Sequence, residues 1–228
     1  MQPTPNAPIF RPIAERAVLV EFGTALDHAA HEAVLRLDQA LAAQPFVGFR
    51  ESVPAFVNLL VEFDTLATDH PTVIAHLRGL LTAQTIARPQ PAQREVLICY
   101  DTDLAPDLAA VAQQSGLTPE AVINAHVSGD YAVFMYGFAP GYAYLGGVPG
   151  AIRLDRKPSP VRGVAAGSVI IAGAQCLITT LLMPTGWWII GRSPTAILTR
   201  DPARPFLFDV GDKVHFRRIS RAEYEAAQ

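Results

Sequence analysis

The sequence predicts an α+β chain in two parts, an N-terminal unit of mixed strands and helices and a C-terminal β-barrel. Three observations carry this. Between residues 18 and 81, strand-like apolar runs alternate with runs at helical spacing. At residues 88–94, Arg88 Pro89 Gln90 Pro91 Ala92 Gln93 Arg94 has the composition of a linker. Beyond Tyr131, short apolar runs are closely punctuated by glycine and proline, the texture of a barrel. The predicted domains are residues 1–92 and 93–228.

The first elements follow in order. Val18 Leu19 Val20 Glu21 Phe22 reads as a strand ended by Gly23. Leu26, Ala30, Ala33, Val34, Leu37 and Leu41 recur at helical spacing, and Pro45 stops that helix. Phe46–Ser52 is a weaker strand. Pro54 separates it from the clearer strand Phe56–Phe63. Asp69 caps the next helix, with Pro71 in its first turn and Val73, Ile74, Leu77, Leu80 and Leu81 along one face. The order β-α-β-β-α lacks one strand of a split β-α-β, ferredoxin-like unit. Glu95–Tyr100 is a strand that either closes this unit or opens the next.

Past the linker, Ala105–Gln114 reads as a helix. Thr118 Pro119 Glu120 is an N-cap, a proline in the first turn and an acid at the positive end of the dipole. The helix Glu120–Ala125 delivers His126 at its C-terminal end. Strands are predicted at Tyr131–Tyr136, Ser168–Ala172, Leu177–Leu182 and Trp187–Ile190.

Composition narrows the function. Of 228 residues, half are hydrophobic and 17% are charged, which supplies a core and argues against disorder. A surface this poor in charge favours apolar areas covered by a partner. The net charge of −3 gives no footprint for nucleic acid. No apolar run approaches the roughly 20 residues of a membrane span. Met1–Pro8 lacks a basic segment followed by an apolar core, so no signal peptide is expected and the cytoplasm is the expected location. Cys99 and Cys176 both sit in apolar contexts without a neighbouring histidine or cation, as reduced buried thiols do. His28 and His31 share a helix face without an acidic or cysteine cluster, and no metal site is predicted.

Three features remain as carriers of chemistry. Gly137 Phe138 Ala139 Pro140 Gly141 Tyr142 Ala143 Tyr144 Leu145 Gly146 Gly147 is either a tight barrel loop with aromatics plugged into the core or the wall of a ligand pocket. It is no phosphate loop, because neither nucleotide-binding glycine pattern is present. His126 is either a helix-end cap or a general acid/base. Gln175 is a turn residue or an amide aimed into a pocket. Arg192 is a surface residue at a strand end or a bidentate clamp for carboxylate or phosphate. Trp187 and Trp188, adjacent in a strand, must face opposite ways.

These segments, with Ala166 Gly167 Ser168 Val169, Ala172 Gly173 Ala174 Gln175 and Gly186 Trp187 Trp188 Ile189 Ile190 Gly191 Arg192, resemble the family of 5-oxoprolinase B-type subunits. This family is also called allophanate hydrolase subunit 1 or KipI. The same module forms part of the urea carboxylase carboxyltransferase region. Ile13–Gly23, Val53 Pro54 Ala55 Phe56 and Gly211–Phe216 extend the resemblance over nearly the whole chain.

The resemblance implies a ferredoxin-like domain followed by a cyclophilin-like β-barrel. It implies two partners, a C-type chain (subunit 2, KipA) and an A-type chain (LamB/YcsF). The implied activity opens a small cyclic amide, 5-oxo-L-proline, to L-glutamate at the expense of ATP used by the complex. No biotin-acceptor motif lies in this chain. The implied catalytic residues are His126 for proton transfer or orientation, Gln175 as an amide donor and Arg192 for anion binding. Phe138, Tyr142, Arg162 and Trp187 are the implied substrate-binding residues. Alternatives carried by the same motifs are a KipI-like inhibitor of a histidine kinase and a chain of the allophanate hydrolase or urea carboxylase carboxyltransferase type. Departures from the family pattern fall at Val161, where an arginine is usual and Arg162 is adjacent, at Thr185 and at Thr199.

Overall fold

The computed structural model describes residues 7–83 and 91–228, arranged as two units, residues 1–90 and 91–228. Arg88, Pro89 and Gln90 of the predicted linker, and the first six residues, lie outside the described residues.

The N-terminal unit contains β1 (Ile9–Ile13), β2 (Ala17–Glu21), α1 (His28–Ala43), β3 (Phe49–Ala55), β4 (Asn58–Phe63) and α2 (His70–Thr82). Its antiparallel sheet has the order β1-β2-β4-β3. The sequence pattern did not disclose β1, because this edge strand is largely exposed and has no buried face to alternate. It occupies the edge beside β2 that a ferredoxin-like unit assigns to a strand after α2. Pro54 does not separate two strands. It lies within β3, an edge strand, where its missing N–H costs no ladder bond. The chain reverses just after it, at Phe56, whose φ is 51°. Asp27 and Asp69 cap the two helices by accepting from Ala30 N at 2.8 Å and Thr72 N at 2.9 Å. Val20, Leu37, Leu59, Val61 and Leu77 are fully or almost fully buried between sheet and helices.

The second unit contains β5 (Gln93–Ile98), α3 (Leu108–Ser115), α4 (Pro119–Val127), β6 (Tyr131–Tyr136), β7 (Ala143–Gly146), β8 (Val161–Val164), β9 (Ser168–Ala172), β10 (Gln175–Ile178), β11 (Met183–Thr185), β12 (Trp188–Arg192), β13 (Lys213–Arg218) and α5 (Arg221–Ala226). Seven strands form one sheet in the order β12-β9-β10-β7-β6-β13-β5. β5 pairs in parallel with β13, so the strand after the linker belongs to this sheet. β10 ends at Ile178, shorter than the apolar run through Leu182, and Leu181 and Leu182 are exposed.

The two outermost strands meet. Cys99 N–H donates to the Arg192 carbonyl at 2.8 Å and Arg192 N–H donates to the Cys99 carbonyl at 2.9 Å. The sheet is thus a nearly closed barrel, consistent with the cyclophilin-like form. Ile98, Val133, Leu145, Ile171, Cys176 and Ile190 are buried in its interior cluster. The α3–α4 pair packs against β12 and β13. A two-stranded ribbon, β8 with β11, contributes Val164 and Met183 to a second cluster with Ile170, Leu177 and Ile189.

Gly191 permits the closure. A Cβ there would stand 2.8 Å from Ile98 Cγ2 and 3.1 Å from the Cys99 carbonyl oxygen. At Gly150 a Cβ would meet nothing within 4 Å. Gly191→Ala should therefore destabilise the chain by about 1–3 kcal/mol in urea unfolding, the cost of overpacking. Gly150→Ala should stay within about 0.5 kcal/mol of wild type. Equal stability of the two variants would contradict this account of the closure.

Candidate functional site on the barrel

The strands that line the interior also carry an outer face, because successive side chains alternate. The register assigns the residues. On β9, Val169 and Ile171 face inward, while Ser168, Ile170 and Ala172 face outward. Gln175 pairs with Ala172, Leu177 with Ile170, and Arg192 with Ser168, which places all three on the outer face. Trp187 joins the outer cluster and Trp188 the interior one. The Trp188 indole N–H donates to the Asp155 carbonyl at 2.7 Å, so its polar edge is satisfied.

The glycine-rich segment supplies the aromatic part of this face. Phe138 packs on Tyr142 at 5.3 Å between ring centroids, Tyr142 on Tyr144 at 5.9 Å, and Tyr144 on Trp187 at 5.7 Å. The Arg156 guanidinium carbon lies 5.8 Å over the Trp187 ring. The loop is tight: Gly141 has a φ of 67°, and a Cβ there would lie 2.8 Å from Leu198 Cδ2. Tyr142 and Trp187 are buried, whereas Phe138 is 82% exposed. Burial pushes the Tyr142 phenol up to about 12. The inner rings are plugged in, as the tight-loop reading expects, and the tip projects outward.

Gln175 and Arg192 stand at opposite ends of the face. Their partners on β9, Ala172 and Ser168, are four residues apart, which is about 13 Å along a strand. Gln175 is half-buried and pairs on its other side with Gly146. Arg192 is also half-buried, and its terminal nitrogen donates to Ser168 Oγ at 3.4 Å. Its Nε is buried without a hydrogen-bond partner among the described residues. Ser168 is fixed in turn, with its hydroxyl donating to the Ala165 carbonyl at 2.9 Å and its N–H donating to Thr179 Oγ1 at 2.9 Å. Arg162 is exposed on β8. The structure therefore places Phe138, Tyr142, Trp187, Gln175 and Arg192 on one face, with the last two separated.

His126 lies elsewhere, inside the barrel and with no exposed surface. Thr118 caps α4 by accepting from Ala121 N at 3.2 Å, and the last turn of that helix delivers the ring inward. The Tyr100 hydroxyl is 2.7 Å from Nδ1, and Cys176 Sγ is 3.4 Å from Nε2. Burial pushes the His126 pKa down to about 3 and raises those of Tyr100 and Cys176. All three groups are neutral near pH 7. A neutral ring has one donor and one acceptor nitrogen; the Tyr100 hydrogen has no other acceptor among the described residues, which assigns Nδ1 as its acceptor and leaves the ring proton on Nε2, toward the sulfur. Sequence reasoning missed the histidine beside Cys176, because the two are fifty residues apart. The thiol is nevertheless not activated, since burial opposes the thiolate.

A groove of about 440 Å³ in the N-terminal unit includes Arg16, Arg50, Glu62 and Asp64. Its arginines are already paired, Arg50 with Asp64 at 2.5 Å and Arg16 with Glu62 at 3.7 Å. Among the described residues, no group of three or more His, Cys, Asp or Glu is placed to hold a metal, and no helix is long and apolar enough to cross a membrane.

Comparison with known proteins shows the family. Residues 8–208 match the family described as carboxyltransferase domain, subdomain C and D. The chain belongs to this family. It is 34% identical to the 5-oxoprolinase B subunit of Bacillus subtilis (strain 168) over 227 residues, covering 94% of each chain. The Escherichia coli O157:H7 protein of the same name is 34% identical over 209 residues, covering 90% of this chain and 93% of the relative. Among solved structures, that of TTHA0988 superposes with a TM-score of 0.77 at 34% identity. That match covers 90% of this chain but only 40% of the longer one. The Kluyveromyces lactis urea amidolyase structure has a TM-score of 0.75 at 18% identity, covering 96% of this chain and 15% of that one, a likeness of fold.

The buried histidine has a measurable consequence. Unfolded, the ring takes its proton near the ordinary 6.5; folded, only near 3. Between those values the unfolded state holds one more proton, so stability falls as pH falls, by about 1.4 kcal/mol per pH unit. His126→Gln removes this component. The unfolding free energy of wild type relative to His126→Gln should be constant above about pH 7.5 and drop by about that slope between roughly pH 6 and 4. A difference independent of pH would contradict burial of a neutral ring.

Proposed function

We propose that this chain is the B-type component of an ATP-dependent 5-oxoprolinase-like amidohydrolase. The complex would open 5-oxo-L-proline to L-glutamate with A-type and C-type partner chains. The observation that carries this reading is the end-to-end match to proteins named as the B subunit of 5-oxoprolinase, at 34% identity over 94% of both chains. A protein so named implies other subunits. Cytoplasmic assembly is part of the same reading.

The outer face suits a component of a shared site. It offers one aromatic wall, an amide and an arginine. A wall supplied by another chain would enclose a small ligand against it. A lactam is an unreactive amide, and ATP can activate its carbonyl oxygen by phosphorylation. The activated oxygen carries charge that fixed donors stabilise. Gln175 offers amide hydrogens. Arg192 is a half-buried cation whose guanidinium suits a carboxylate or phosphate oxygen. His126 faces away from this chemistry, and its role becomes orientation rather than proton transfer. ATP is used by the complex, and no phosphate-binding element is assigned to this chain. The aromatic tip, with Phe138 at 82% and Leu182 at 73% exposure, is the part of the face best suited to a partner chain.

Reconstitution of the chain with its A-type and C-type partners tests the reading. The trio should consume ATP and 5-oxoproline together, and the chain alone should turn over neither. In the trio, Gln175→Ala and Arg192→Ala should each lower kcat/KM by about tenfold or more, the cost of one lost charge-stabilising donor, with little change in melting temperature. A wild-type trio without turnover would refute the function. Phe138→Asp should leave folding intact and weaken association with the C-type partner by about tenfold or more in calorimetry. Unchanged affinity would remove Phe138 from the interface.

A further inference from the structure

Gln175 and Arg192 lie on the outer face, yet each is one step from the barrel interior. Gln175 is followed in β10 by Cys176, whose side chain points inward. Arg192 exchanges both backbone hydrogen bonds with Cys99, and Cys99 is followed by Tyr100, also directed inward. Inside, a single ring bridges those two neighbours. His126 receives the Tyr100 hydroxyl at 2.7 Å and reaches Cys176 Sγ at 3.4 Å. In the strand ring, β10 is separated from β5 by β12 and β9 on one side and by β7, β6 and β13 on the other. The bridge therefore crosses the barrel.

The ring is itself held. The Tyr131 hydroxyl donates to the His126 carbonyl at 3.0 Å, and Phe216 stacks on the imidazole with centroids 4.7 Å apart and planes at 21°. Each of the strands it joins is well paired on one side and lightly fastened on the other. β10 pairs with β9 through four residues but with β7 through two, and β5 pairs with β13 through six but, among the described residues, meets β12 only through the Cys99–Arg192 bridge. We infer that His126 is a positioning residue: it sets the spacing of Gln175 and Arg192 by tying β10 to the closing end of β5 across the barrel interior. This rests on the preceding reading in so far as those two residues act together on one substrate.

Two variants separate this role from mere filling of the core. His126→Phe keeps an aromatic ring that can stack on Phe216 but removes both hydrogen bonds. His126→Gln keeps one acceptor and one donor in a neutral side chain. Amide hydrogen exchange in the full chain is the first readout. His126→Phe should speed exchange at the Cys99 and Arg192 N–H groups by about tenfold or more, and at Ile171 and Ile189 by less than about twofold. His126→Gln should restore the slower rates. In the reconstituted trio, kcat/KM for 5-oxoproline should follow the same order.

Wild-type exchange at Cys99 and Arg192 in His126→Phe would overturn the inference, as would His126→Gln exchanging as fast as His126→Phe. If His126→Phe fails to fold, Tyr100→Phe removes one end of the bridge and should show the same selective acceleration; no acceleration there overturns the inference. A trio without turnover would refute the proposed function while leaving the exchange measurement decisive for the bridge.

Discussion

The C-terminal unit depends on one place where two sheet edges meet. A seven-stranded open sheet exposes two rows of unpaired backbone groups, a liability that closure abolishes. Here, among the described residues, Cys99 and Arg192 make the only bridge between the β5 and β12 ends. The next edge donor is met locally: Leu97 N–H donates to Thr195 Oγ1 at 3.0 Å. The chain beyond β12 thus folds back over the edge it leaves. Gly191 lets the backbones approach, and the bulge between Ile189 and Gly191 bends the strand toward its partner. Curvature places Ile98, Ile171 and Ile190 around one dry interior.

Closure also explains why the candidate surface lies outside. The interior of this barrel is filled by buried side chains rather than by a cavity for a ligand. Every strand residue that does not fill the core must then face outward. Trp187 and Trp188, or Gln175 and Cys176, are pairs in which one member serves the core and the other the surface. The β8–β11 ribbon and the Gly137–Tyr142 loop cover the middle of that surface. Its chemical groups consequently remain at the rim, with Gln175 at one end of the strands and the Arg192 guanidinium at the other, the end that also carries the aromatic loop.

Much of this was legible in the sequence, and the exceptions have physical causes. The helices with Asp69 and Thr118 at their starts declare themselves, because caps are local, and α1 does so by its apolar spacing. The alternation of the two tryptophans needs only a strand period. By contrast, β1 is an exposed edge, and Pro54 looks like a break until its edge position is known. β8 and β11 have three or four residues each, too few for a pattern. The motif segments marked the outer face but not the distance between Gln175 and Arg192, which depends on register. The bridge from Tyr100 through His126 to Cys176 was invisible, since it depends on which strands stand opposite in the closed ring.

That bridge also shows why a polar ring can occupy a position where a phenylalanine would avoid the cost of dehydrating an imidazole. Burial without partners would cost several kcal/mol, but each ring nitrogen has one. A neutral, fully paired network avoids most of the desolvation penalty that a buried charge would incur. Apolar contacts are non-directional, and strands packed only by them are less strictly positioned. Hydrogen bonds are directional, and a phenol, an imidazole and a thiol in series restrict both distance and angle. The low pKa of the histidine is then a condition of its role. A ring that ionised near neutrality would place two donors against the Tyr100 hydroxyl and the Cys176 thiol, and the Tyr100 hydrogen would lose its acceptor. Holding the imidazole neutral keeps the donor order fixed, and with it the relation between the closing strands and the face they carry.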